Sequence, residues 1–162
     1  MKVIGVDPGL TRAGFAVVEQ AGSKLWALEH GTIRGSGEVP DQLAALRSRL
    51  AQAIETHRPD EMAVERLFVT RNQRTAIRVG QASGIALLAA AEAGIPVVEY
   101  GPLQVKQAVV GVGNATKDQV SFMVRRLLGL TERPETADAS DALALAICHL
   151  HSQKLSARAV AR

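Results

Sequence analysis

Val3-Ile4-Gly5-Val6-Asp7-Pro8-Gly9 is the stretch on which the reading of this chain turns. Residues 2–7 are an apolar run that stops at Pro8-Gly9, which predicts a first strand ending in a turn. Asp7 sits at its end, where a buried strand leaves little water to solvate a carboxylate. Working outward, the same conflict recurs at Glu65, which closes the run Met62-Ala63-Val64. Asp138 and Asp141 then stand at the start of an alanine-rich helical stretch, on one face of it and in its first turn. Two carboxylates ~4 Å apart repel by about 4 kcal/mol at an effective dielectric of ~20. Protons or divalent cations must offset that. A cluster made only of carboxylates suits a hard cation such as Mg²⁺, with Mn²⁺ as a substitute of the same oxygen preference.

Around these acids the pattern alternates strand and helix. Gly14–Glu19 and Lys24–Arg34 read as two further strands joined by a hairpin turn at Ala21-Gly22-Ser23. Pro40 starts a helix in which Leu43, Leu46, Leu50 and Ile54 form one apolar stripe, and His57-Arg58-Pro59 ends it. A short buried strand follows over Glu61–Glu65, then the basic stretch Phe68-Val69-Thr70-Arg71-Asn72-Gln73-Arg74. A long helix rich in small residues runs to Glu92, and Pro96–Glu99 is a fifth strand. Pro102–Val109 forms a short helix. Thr116-Lys117-Asp118-Gln119 is a capping box that opens another helix and leaves Lys117 in its exposed first turn. A last helix spans Thr136 to His151. The order β-β-β-α-β-α-β-α-α-α predicts an α/β fold: a five-stranded mixed sheet flanked by helices. Residues 1–153 form one domain, and 154–162 a basic tail that frays.

The totals bound the function. The chain has 162 residues, 47% hydrophobic and 22% charged, enough for one globular domain with a sizeable core. Net charge is +3, but its placement says more. Four arginines and no acid lie between Arg66 and Arg78, and no acid follows Asp141. Positive patches beside an acidic pocket suit a polyanion such as nucleic acid; solvated surface charge is the plainer reading of the tail. The single cysteine, Cys148, excludes an intrachain disulfide, fits a reducing compartment and reads as core filler. No stretch matches a secretory signal or a membrane-spanning helix, so a soluble cytosolic protein without membrane partners is expected. His30, His57, His149 and His151 lack zinc spacing with Cys148 and read as surface or helix-end residues.

Each acid also has a plainer reading. Asp7 alone could initiate a turn, and Asp138 and Asp141 could merely favour the positive end of a helix dipole. Glu65, in a buried strand, is hardest to explain that way. Phe68 is either core or an aromatic that stacks on bases, and only 3% of the chain is aromatic. The four acids beside arginine-rich segments suit phosphodiester hydrolysis with two metal ions.

Several blocks together resemble the RuvC-type Holliday junction resolvases. They are Gly5-Val6-Asp7-Pro8-Gly9, Val64-Glu65-Arg66-Leu67-Phe68, Gly80-Gln81-Ala82, Val105-Lys106-Gln107, Val110-Gly111-Val112-Gly113, Thr116-Lys117 and Ala137-Asp138-Ala139-Ser140-Asp141-Ala142-Leu143-Ala144. The blocks follow the family's order over nearly the whole chain. The resemblance implies a ribonuclease H-like fold and a homodimer. It also implies symmetric nicking of four-way DNA junctions, with Mg²⁺, to 5′-phosphate and 3′-hydroxyl ends during recombination and repair. By it Asp7, Glu65, Asp138 and Asp141 bind the metal, two ions to a site. Lys106 and Lys117 lie near the scissile phosphate, and Phe68 stacks on junction bases; Arg71 and Arg74 beside Phe68 make that loop basic and are, by charge alone, candidate DNA contacts. It further implies a bacterial protein that works at the nucleoid with the RuvA–RuvB branch-migration complex. Leu67 replaces an expected valine, and Ser83 stands where some members carry arginine. Asp138 stands where some carry histidine. Three other readings compete: a nuclease of the same fold acting on RNA–DNA hybrids or flaps, a phosphate-binding ATPase or sugar kinase suggested by Asp7-Pro8-Gly9-Leu10-Thr11, and a DNA-binding module without catalysis. The kinase would need two such domains. The module would not need four acids, which repel DNA unless metal is present.

Overall fold

The computed structural model describes the backbone of residues 1–66 and 72–160 and the side chains of 1–66 and 72–153. Among them, five strands and five helices alternate: β1 (Lys2–Asp7), β2 (Arg12–Ala21), β3 (Lys24–Arg34), α1 (Val39–His57), β4 (Glu61–Glu65), α2 (Gln73–Ala93), β5 (Val97–Tyr100), α3 (Pro102–Val110), α4 (Lys117–Leu128) and α5 (Ala137–Val160). The sheet order is β3-β2-β1-β4-β5. The first three strands are antiparallel neighbours, while β1–β4 and β4–β5 are parallel. The expected mixed sheet is therefore present, with β1 at the point where the two kinds of pairing meet. Open α/β sheets place sites beyond the strand ends at such a point.

Alternation along the strands divides the core. Ile4, Val6, Phe15, Val17, Met62 and Val64 face α1 and α2, while Val3, Ala16, Val18 and Ala63 face α3, α4 and α5. The helix α2 buries only Ala82, Ser83, Ala86, Ala89 and Ala90, and so lies close to its support. Its other side exposes Ile77, Leu87 and Leu88. The helix α5 packs over β1 and β2 with Ala139, Ala142, Ala146 and their neighbours buried. Two glycines permit this. A β-carbon on Gly5 would collide with the Ala142 carbonyl oxygen and stand 3.0 Å from the Ala146 nitrogen. One on Gly14 would collide with the Asp138 carbonyl. Strand and helix backbones touch at both places, which fixes where α5 begins above the sheet.

Three expectations need correction. The strand β2 starts at Arg12, not Gly14, because its ladder with β3 extends to the pair Arg12–Arg34. The helix α5 runs to Val160, past the expected end at His151; no glycine or proline stops it there. Only Asp138 lies in its first turn. Thr136 caps it, accepting a hydrogen bond from the Ala139 amide at 3.1 Å and meeting the Thr32 hydroxyl at 2.5 Å.

His149 is no surface residue. It is fully buried on α5, with Nδ1 2.9 Å from the Tyr100 hydroxyl. Its Nε2 lies 2.9 Å from Glu61 Oε2, within ion-pair distance. Burial pushes its pKa down, against the pull of Glu61, and raises that of Tyr100. Cys148 is core, as expected, and burial pushes its thiol up to about 11. Among the described residues, no helix is long and apolar enough to cross a membrane.

Candidate active site

Asp7 and Glu65 end β1 and β4. The register pairs Val6 with Val64, so the two acids lie side by side at the same end of adjacent parallel strands. Both share a strand face with Ala63, the face covered by α5. The start of α5, seated on Gly14, brings Asp138 and Asp141 over that end. The burden on the charges appears in Asp7. Burial first, then the charges of Glu65 and Asp141, a hydrogen bond to Glu65 and the charge of Asp138 push its pKa up to about 8. Burial likewise raises Glu65, although its hydrogen bond from Asp7 and the charge of Lys117 pull the other way. Both acids are therefore held above the ordinary carboxylate range.

The acids of α5 are balanced differently. Asp141 Oδ2 accepts a hydrogen bond from Lys117 Nζ at 3.1 Å. That bond and the charge of Asp141 raise the pKa of Lys117, which stays a cation. Asp138 Oδ2 accepts from Arg12 Nε at 2.8 Å and lies 2.6 Å from Nη2. With two acids turned to cations, no three Asp, Glu, His or Cys side chains among the described residues converge tightly enough to hold a metal ion as they stand. The donor set nevertheless fits a hard divalent ion. All four are carboxylates on one strand-end crevice, and the crowding that raises Asp7 is what such a charge relieves.

A cleft of about 80 Å³ opens beside them, lined by Glu65, Lys106, Lys117 and Asp141 over an apolar floor that includes Val105 and Val120. Lys117 owes its place to the capping box. Thr116 accepts from the Gln119 amide at 3.2 Å, and the Gln119 side chain accepts from the Thr116 amide at 2.9 Å. The structure thus brings together Asp7, Glu65, Asp138, Asp141, Lys106 and Lys117. Arg74 is exposed in the first turn of α2. Phe68 and Arg71 lie outside the described residues.

A family model for the crossover junction endodeoxyribonuclease RuvC matches residues 3–149. The chain belongs to the RuvC family of crossover junction endodeoxyribonucleases. The RuvC of Pelotomaculum thermopropionicum is 50% identical over 153 residues, 93% of this chain and 93% of its own length. That of Syntrophomonas wolfei is 48% identical over 158 residues, 96% of this chain and 92% of its own. A solved structure of T. thermophilus RuvC in complex with Holliday junction substrate superposes with a TM-score of 0.92 at 39% identity, covering 96% of both chains. The ribonuclease H-like fold expected of RuvC proteins is the fold of this chain.

Sequence reading missed Arg12. It follows Gly9-Leu10-Thr11 in a turn, and nothing local pairs it with a residue at position 138. Gly5 and Gly14 were legible as glycines in strands, which mark close backbone approach, but their partner was not.

Proposed function

We propose that this chain, an endodeoxyribonuclease by family, resolves four-way DNA junctions by divalent-metal-dependent hydrolysis. One observation carries the reading: Asp7 and Glu65 end adjacent parallel strands under the start of α5, which adds Asp138 and Asp141. In this reading the four acids hold Mg²⁺, two ions to a site, with Mn²⁺ acceptable in its place. Held by these acids, such ions would supply water activation and charge neutralisation for a hydrolysis that leaves 5′-phosphate and 3′-hydroxyl ends.

The chain's own residues do the rest. Lys117, at the mouth of the cleft, stabilises charge developing on the transferred phosphate. Lys106, which lines the same cleft, holds the phosphate backbone. Phe68 stacks on an unpaired base, and Arg71 and Arg74 hold adjoining phosphates. The T. thermophilus RuvC bound to a Holliday junction supports the substrate. Symmetric cutting of two strands calls for two acidic sites, hence a two-fold homodimer. The exposed Ile77, Leu87 and Leu88 of α2 support a partner on that helix. In a bacterial cytoplasm the enzyme acts at the nucleoid with the RuvA–RuvB complex.

The test separates cleavage from binding. Asp138→Asn and Asp141→Asn should each lower junction nicking in Mg²⁺ by several orders of magnitude, while gel-shift affinity in Ca²⁺ stays within a few-fold. Near-normal nicking by either variant would remove that acid from the site.

A further inference from the structure

Arg12 is the side chain at this site that the proposed function leaves without a task. It stands at the first residue of β2, two positions before Gly14. The backbone contact between Gly14 and Asp138 therefore fixes Arg12 beside the start of α5. Its guanidinium grips one carboxylate oxygen of Asp138 through both Nε, at 2.8 Å, and Nη2, at 2.6 Å. The pair is not a buried structural tie: the Arg12 side chain is 46% exposed and that of Asp138 25%. An exposed ion pair of this kind is weak and exchangeable. Arg12 thus occupies one of the two oxygens that Asp138 offers to a cation. Arginine cannot yield it by losing a proton, because it stays charged at any working pH. It can yield only by moving away.

We propose that Arg12 is an exchangeable counter-cation, which neutralises Asp138 until a divalent metal takes that carboxylate and then turns to a DNA phosphate. Its planar fork suits phosphate oxygens as well as it suits a carboxylate. The exchange makes metal and DNA binding mutually supportive. Metal frees the guanidinium for the backbone, and a bound phosphate keeps Arg12 from returning to Asp138. The inference rests on Asp138 being a metal-holding residue.

The experiment has two arms that read this apart from catalysis. In the first, calorimetric titration with Mn²⁺ and no DNA compares wild type, Arg12→Gln, Asp138→Asn and the double variant. Arg12→Gln should tighten metal binding about two- to fivefold, the ratio expected for removing a competing exposed pair. Asp138→Asn should weaken it, and the double variant should match Asp138→Asn. In the second, junction binding is followed against salt. In Ca²⁺ the slope of log affinity against log salt should fall by about one for each engaged Arg12 in the variant. In chelator, with Arg12 held by Asp138, it should match wild type.

Unchanged metal affinity in Arg12→Gln while Asp138→Asn weakens it would overturn the inference and leave the metal site standing. An Asp138→Asn variant with wild-type metal affinity would overturn the metal assignment itself. A salt slope unaltered in Ca²⁺ would show that the freed guanidinium reaches no phosphate. A lower melting temperature for Arg12→Gln with both binding readouts unmoved would make the pair a structural tie and refute the exchange.

Discussion

Asp7→Asn should stabilise the metal-free protein at neutral pH, an unusual outcome for a change in a site. Asparagine keeps the shape of the side chain and can donate to Glu65, but it carries no charge. Wild-type Asp7 has its pKa pushed up from 3.8 to about 8, chiefly by burial and then by Glu65 and Asp141. Between those values the folded chain holds a proton that the unfolded chain has released. Stability therefore falls as pH rises, by about 1.4 kcal/mol per unit. At pH 7 the ceiling is about 4 kcal/mol, and the coupling of Asp7 to Glu65, with Asp7 only partly buried, brings the expected loss to about 2 kcal/mol. The variant escapes it. In a chelating buffer at pH 7 it should melt higher by about 4–8 °C, given the shift per kcal/mol for a domain of this size. The gap should close towards pH 4.5 and level off above pH 8. Mg²⁺ should then raise wild type more than the variant, because binding stabilises only a chain that can bind. Differential scanning calorimetry across pH reads all of this. A variant no more stable than wild type at pH 7 in chelator, or a gap that persists at pH 4.5, would refute the crowding argument.

The glycine contact predicts a second result. Gly14→Ala should cost about 2–4 kcal/mol in denaturant unfolding, since two backbones must part, and junction cleavage should fall further as Asp138 is displaced; a neutral effect would mean that α5 does not bear on β2 there. Lys117→Ala should lower single-turnover cleavage by about 10²-fold or more with binding nearly kept, and an equal loss in both would make Lys117 a plain phosphate contact. For His149, burial lowers the folded pKa, so the stability of the neutral ring is lost as pH falls below the ordinary 6.5. His149→Gln, which keeps a partner for Tyr100, should flatten the acid-side decline between pH 6.5 and 5 in urea melts. An unchanged decline would place its cause elsewhere.

Much of this architecture is written locally. The strand ends at Asp7 and Glu65, the stripe of α1 and the capping box of α4 depend on residues within one turn or one strand, so sequence carries them. The assembly of the four acids was legible only as a sum, because no single one escapes an ordinary explanation. In α5 the side-chain cap comes from Thr136. The carboxylates of Asp138 and Asp141 turn instead to Arg12 and Lys117. What stayed hidden is tertiary. Arg12 and Asp138 are far apart in the chain and meet only because Gly14 lets α5 touch the sheet. His149 looked like a helix-end residue because its partners, Tyr100 and Glu61, come from two other strands. The end of α5 was misjudged because helix length without a stop signal is set by packing more than by propensity.

Mapping of both nicks on a synthetic four-way junction is the most direct test of the central claim. The wild-type chain is incubated with end-labelled junction, linear duplex or RNA–DNA hybrid, each with Mg²⁺ or chelator, and product ends are probed with ligase. Paired nicks at symmetric positions across the junction, sealed by ligase, appearing with Mg²⁺ and lost in chelator, are predicted, with duplex and hybrid left largely intact. Equal cutting of the hybrid or the duplex, or undiminished cleavage in chelator, would contradict it.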